Sequence, residues 1–256
     1  TKFKKRLLAA APLVFLFLGF FAHAQTLTQP FTIDKGYDAK GRTLIEATLE
    51  QTTPHGFFYF EKDYIALLSE SDQIRLRQAL QNLANEFEAV IWPRLRQLYG
   101  EVGQGPDGFV QLTVLFHEMG ETAGGYFSPV NLYLRTEKQE SNGRNIVFLN
   151  IKKLPHSITK SLLAHEFQHV ISFYQKDKRL RQSEDVWLNE LRSEYAPTYL
   201  GYDDQYRRGN LEQRVAAFLE NPSDSLTEWS GGKYDYGTVN LFGQYLVDHF
   251  GVDVLT

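Results

Sequence analysis

The segment 157–175 constrains this chain more than any other. Ile158, Leu162, Leu163, Phe167, Val170 and Ile171 recur at helical spacing, so the segment reads as a helix with one side in the core. The same helix carries His165, Glu166 and His169 in the run His-Glu-Phe-Gln-His. Four residues on a 3.6-residue turn place both imidazoles on one face, about a turn apart, close enough to share one ion. Glu166 is offset by about 100° from His165 and about 60° from His169. Its carboxylate therefore falls beside a shared ion rather than on it, where a base can take a proton from water.

A site that holds a metal and keeps one position open for water needs a third protein ligand. A second helix is expected from about Ser183 until Pro197 halts it, and it contains Trp187-Leu188-Asn189-Glu190-Leu191-Arg192-Ser193-Glu194. Glu190 follows His169 after twenty intervening residues, a length that suits an antiparallel return helix. Glu194 lies one turn further on the same face, placed to hydrogen-bond a ligand imidazole and fix its tautomer, with Asn189 as a second such neighbour. On an isolated helix Glu190 and Glu194 would be a solvated acidic face; directly after His-Glu-x-x-His they read as ligand and support. Two imidazoles and one carboxylate are a donor set for Zn2+, one per chain. The chain has no cysteine, which excludes thiolate metal sites, cysteine nucleophiles and disulfides.

Elsewhere the pattern predicts strands at 43–51 and 57–61 around the turn 53–56, and a long helix from Ser71 to Leu98 bent at Pro93. Residues 109–116 read as a strand with one buried face, 120–131 as a glycine-rich loop, and 145–151 as an apolar strand. The last helix is expected over 237–250, and residues 25–42 are polar and turn-rich, an ordered edge or a flexible leader. Strands come first and helices after. That order predicts an α+β domain with a mostly helical second lobe. His117-Glu118 is expected in a loop, His55 and His156 in turns, His249 partly exposed, and Asp203-Asp204 in a solvated loop rather than at calcium.

The first residues read as an export signal. Lys2, Lys4, Lys5 and Arg6 precede an apolar run from Leu7 to Ala22, and Ala22-His23-Ala24 offers small residues for cleavage near Ala24. The run is shorter than the roughly 20 apolar residues of a membrane anchor. The division is then a signal peptide at 1–24 and one catalytic-type domain at 25–256, with both ends read as boundaries inside a longer protein. Removing 1–24 takes away those four basic groups and no acidic one, moving the formal charge from −4 to −8. That balance speaks against nucleic acid or anionic membrane as partners, and no stable membrane insertion is expected once the signal is removed.

These residues resemble the gluzincin metallopeptidases, the thermolysin-type clan, and more closely the hyicolysin-type bacterial family. The likeness rests on His165-Glu166-Phe167-Gln168-His169, the tail Val170–Phe173, the Trp187–Glu194 segment, Gly125-Tyr126-Phe127, Ser141-Asn142 and Tyr236-Gly237, spanning about 110–250. Leu191-Arg192 departs from it, since Gly-Leu is usual there. The resemblance implies a zincin-like fold, with an N-terminal mixed β-sheet lobe that carries the His-Glu-x-x-His helix, a mostly helical C-terminal lobe and zinc in the cleft between them. It implies zinc on His165, His169 and Glu190, Glu166 as general base and acid, and Glu194 as hydrogen-bonding support. It further implies Tyr236, with Tyr234 behind it, as an oxyanion donor, and Gly125 and Tyr126 beside a groove for a peptide or protein substrate. The absence of an aminopeptidase-type Gly-x-Met-Glu-Asn segment favours internal cleavage, by an exported protein of the bacterial exterior. Two other functions share these features: a surface binding or adhesion module that has lost its chemistry, and a zinc hydrolase of a non-peptide substrate. In the first a ligand or base should be broken, and none is.

Overall fold

Phe57, Phe58, Tyr59 and Phe60 are consecutive and all buried. Side chains alternate across a strand, so four aromatics in a row require a strand covered on both faces. The computed structural model, which describes residues 28–256 except 205 and 208, places them in the middle of a six-stranded mixed sheet. The strands are β1 (Thr28–Thr32), β2 (Leu44–Thr52), β3 (Gly56–Glu61), β4 (Leu112–His117), β5 (Gly125–Phe127) and β6 (Ile146–Asn150), in the order β1-β2-β3-β4-β6-β5. β3, β4 and β6 run parallel; β1, β2 and β5 are antiparallel to their neighbours. The export-signal reading lies outside the described residues. Among those residues no helix is long and apolar enough to cross a membrane.

The helices are α1 (Lys62–Ala66), α2 (Glu70–Glu86), α3 (Trp92–Tyr99), α4 (Ile158–Ser172), α5 (Val186–Tyr199), α6 (Asn210–Glu220) and α7 (Lys233–Phe250). Phe58, Phe60, Val114, Phe116 and Leu149 face α2, α3 and α4 in the larger core. Phe57, Tyr59, Leu115 and Phe148 face the other way, against Phe31, Ile45 and Tyr126. A third cluster, Leu191, Tyr195, Val239 and Leu255, joins α5 to α7. The fold is thus α+β, and α4 is the element common to both halves, packed on β5, β6 and α5.

Several expectations need correction. The strand of 109–116 starts at Leu112 and is buried on both faces, because it lies between two parallel neighbours rather than at an edge. His117 is its last residue and is fully buried, not in a loop. The glycine-rich stretch contains the edge strand β5. Pro197 does not halt α5: proline removes only its own donor, and the helix runs on to Tyr199, where Leu200 N bonds Ala196 O at 3.2 Å. The bend near Pro93 is a π turn, Phe87–Ile91, between α2 and α3, which widens the ladder just before the residue that cannot donate. α7 begins four residues earlier than expected, at Lys233, because Asp235 caps its own N-terminus by accepting from Gly232 N at 2.8 Å and Ser230 Oγ at 2.6 Å. The segment 25–42 is ordered from Thr28 on, and its strand β1 pairs with β2.

Phe167 anchors α4 on α3 and the π turn before it: the ring is fully buried, stacked on Trp92 at 5.1 Å and edge-on to Phe87 at 5.5 Å. Phe167→Ala is expected to lower the unfolding free energy by about 3–5 kcal/mol. Phe250→Ala, on an exposed ring, should stay within about 0.5 kcal/mol of the parent. Urea unfolding midpoints check both; equal values would mean that α4 is not anchored through this ring.

Candidate metal centre

α4 turns one side to the sheet and the other to α5. His169 reaches Asn189 and His165 reaches Glu194, so the two helices run antiparallel, as the spacing implies. Each imidazole spends its Nδ1 on a neighbour: His165 Nδ1 lies 3.4 Å from Glu194 Oε1, and His169 Nδ1 meets Asn189 Oδ1 and Ser193 Oγ, the latter at 3.0 Å. The two Nε2 atoms are left facing each other, 3.1 Å apart. Glu190 completes the triangle, with Oε2 at 3.3 Å from His165 Nε2 and Oε1 at 3.6 Å from His169 Nε2.

These three side chains offer ligand atoms all within 4.8 Å of one another, a group that can hold a metal ion. Metal–ligand bonds of about 2.0–2.1 Å at tetrahedral angles separate their donor atoms by roughly 3.3–3.4 Å; the two Nε2 atoms are 3.1 Å apart, and each has a different Glu190 oxygen at a similar distance, 3.3 and 3.6 Å. Glu190 Oε2 is also buried and makes no well-formed hydrogen bond; its neighbour is the His165 imidazole. The donor set fits a divalent cation.

Glu194 has one per cent side-chain exposure and is held by Arg214, whose Nε and Nη2 lie 2.7 and 2.8 Å from its two oxygens. Asn240 Nδ2 adds a third contact at 3.2 Å. Arg214 is a site residue that the sequence reading missed, because α6 went unseen. The signal was there: Leu211, Val215 and Phe218 at helical spacing, opened by Gly209-Asn210 and closed by Asn221-Pro222. Arg214 also lies over the Tyr236 ring, 4.7 Å from its centroid. Tyr236 is in the first turn of α7, with its ring 6.5 Å from that of His165. Gly237 beside it lets α7 touch α6, since a Cβ there would sit 2.8 Å from Phe218 N and 3.0 Å from Arg214 O.

On the sheet side, Gly124 and Gly125 allow β5 to approach α4. A Cβ at Gly124 would strike Leu162 at 2.6 Å, and one at Gly125 would lie 2.8 Å from Phe148 O and 3.3 Å from Glu166 Cγ. Gly124 O accepts from Asn150 N at 2.9 Å, and Tyr126 is paired with Phe148. Pairing alternates along an antiparallel ladder, so the backbone groups of Gly125 and Phe127 point to the open edge. The Tyr126 side chain itself is buried, stacked on Phe148 at 4.4 Å. A cavity of about 520 Å³ opens between the lobes, lined by Gly125, His165, Glu166, Arg214 and Tyr236. Tyr234 lies outside this lining, its hydroxyl 3.4 Å from Glu220.

Burial opposes charge on His165, yet the Glu190 and Glu194 carboxylates outweigh it and hold that imidazole well above its usual range. Burial lowers His169 against the pull of Glu190. Glu166 is pushed up to about 8 by burial, with Glu190 and Glu194 adding to the effect and His165 opposing it. Tyr236 is raised by burial and by the carboxylates of Glu190, Glu194 and Glu166, so its phenol keeps its proton.

No protein-family model matches the chain. It is similar to the neutral metalloprotease ShpI of Staphylococcus hyicus, 27% identical over 188 residues, which cover 64% of this chain and 41% of that protein. The likeness is to a metallopeptidase. The chain spans less than half the length of this relative.

Burial penalises the Glu194 carboxylate, but Arg214 and His165 overcome that and hold it far below the ordinary carboxylate range. Its folded value lies below the unfolded one, about 4.3. The pair therefore stabilises the fold fully above roughly pH 5 and progressively less as pH falls. Glu194→Gln leaves Arg214 buried without its partner and should cost about 3–5 kcal/mol at pH 7. The gap between wild type and variant should narrow by pH 4 in chelator-treated protein; urea unfolding at both pH values measures it.

Proposed function

We propose that this chain is an exported, zinc-dependent metallopeptidase of the gluzincin type, cutting peptide bonds within a chain. The observation that carries the reading is the convergence of His165, His169 and Glu190, with Glu166 next to His165 in sequence and lining the same cavity as that imidazole. His165 and His169 would bind zinc through Nε2, their Nδ1 atoms being engaged by Glu194 and by Asn189 with Ser193. The bound ion supplies Lewis acidity, polarising a carbonyl and making water easier to deprotonate.

The chain's own groups do the rest. Glu166 works as an ionised base, which requires the positive charge that a cation brings to a centre otherwise crowded with carboxylates. It takes a proton from the attacking water and passes it to the leaving amine. Tyr236 keeps its hydroxyl proton and donates it as a hydrogen bond to the oxyanion that develops on the scissile carbonyl. The open backbone groups of Gly125 and Phe127 pair with an extended substrate, which gives affinity without a fixed side-chain demand. Export rests on the signal-like residues 1–24.

Purified protein is expected to hold one zinc per chain by elemental analysis and to cleave casein. Glu166→Gln should retain the zinc and lose cleavage by about 10²–10⁴-fold, whereas His165→Ala should lose the zinc itself. Full zinc occupancy without cleavage of any peptide or protein would sink the reading. Tyr236→Phe is expected to lower kcat by about 10²–10³-fold at unchanged zinc content; an unaltered kcat would remove Tyr236 from the mechanism.

A further inference from the structure

The connection between β1 and β2 is built around buried charge, which is unusual for a surface turn. The Asp38 and Glu61 side chains have zero and one per cent exposure and share one cation, Arg42. Arg42 Nε and Nη2 donate to Asp38 at 3.1 and 2.8 Å, and Nη1 donates to Glu61 at 2.5 Å. Asp38 also accepts from the backbone of Lys40 and Arg42 at 3.0 and 2.8 Å, and Glu61 from Glu118 N at 2.8 Å. His117 lies against the cluster, its Nδ1 3.5 Å from Asp38. Backbone bonds from Ala39 N to Glu118 O and from Gly120 N to Tyr37 O, at 3.1 and 3.0 Å, join the turn to the end of β4. Buried ion pairs add little net stability, but they hold one arrangement firmly.

What they hold is Tyr37. Its ring stacks on Tyr126 at 4.4 Å and 18°, and Tyr126 stacks in turn on Phe148. The Tyr126 hydroxyl accepts from Asp34 N at 3.0 Å, which fixes the near end of the turn. Tyr37 is nonetheless 40% exposed, and it lines the same cavity as Glu166, Arg214 and Tyr236. A stack of three rings thus runs from the core to the cleft and leaves its last member open there. Burial and the carboxylates of Glu166, Asp34 and Glu190 raise the Tyr37 hydroxyl, so it remains a donor.

We propose that Tyr37 is a substrate-binding residue of this cleft. It forms the sheet-side wall, as Tyr236 forms the helical one. Its hydroxyl donates to a backbone carbonyl of a peptide laid along β5, and its ring packs on the adjoining substrate side chain. This rests on the peptidase reading above. It deepens that reading by making the turn 34–42, outside the span of about 110–250 that carries the motif resemblance, part of the active site.

Steady-state kinetics on an internally quenched peptide, its sequence taken from a casein cleavage site, test this with wild type, Tyr37→Phe and Tyr37→Ala. Tyr37→Phe keeps the ring and should raise KM about three- to tenfold, the worth of one hydrogen bond, with kcat within about twofold. Tyr37→Ala should raise KM further, at unchanged zinc content and melting temperature. A Tyr37→Ala enzyme with wild-type KM, or one altered in kcat alone, overturns the proposal while leaving the peptidase reading intact. A wild type that cleaves no peptide overturns the peptidase reading, and this proposal with it.

Discussion

One buried carboxylate ties the helical half of this protein to its centre. Glu194 extends from α5 to His165 on α4, to Arg214 on α6 and to Asn240 on α7. A charge so far from water is tolerable only with full pairing, so four helices must come to one point before any of them is settled. The same contacts set the chemistry, since the group that satisfies Arg214 also engages His165 Nδ1 and leaves its Nε2 free. Folding of the second lobe and orientation of the first imidazole are thus one requirement.

The centre is negative by design of its neighbours. Glu166, Glu190 and Glu194 share a small volume, and Arg214 is already committed to the last of them. Without a cation the remaining charge is relieved by protons, retained on Glu166 and His165. A divalent ion in the triangle of His165, His169 and Glu190 would displace that need, and metal and proton would compete for one site.

Much of the centre was legible because its determinants are local. Four-residue spacing puts His165 and His169 on one helical face whatever surrounds them, and a return helix of the observed length carries Glu190 back. What escaped was set by partners distant in sequence. The burial of β4 on both faces follows from β3 and β6, and Leu112–His117 alone does not encode it. Arg214 was missed for a plainer reason: its amphipathic helix lay between polar loops and was not counted. Tyr126 shows the opposite error, since its place in the groove segment suggested contact with substrate, while the pleat directs its ring inward and leaves Gly125 at the edge.

The two lobes divide the work by the kind of rigidity each supplies. The helical lobe fixes points: Tyr236 by the capped start of α7 and the Gly237 approach to α6, Glu190 by its place on α5. The sheet lobe fixes a line, the free edge of β5, brought within reach of Glu166 only because Gly124 and Gly125 carry no Cβ to hold it off α4. A Cβ at Gly125 would lie 2.8 Å from Phe148 O and 3.3 Å from Glu166 Cγ, so a side chain there would shift the edge. The charge cluster under the turn 34–42 then has a physical rationale, because an edge strand of three residues is too short to hold its own position. Asp38, Arg42 and Glu61 brace it from the far side through Tyr37 and Tyr126. The distance between the edge of β5 and the residues of the helical lobe is kept from both directions.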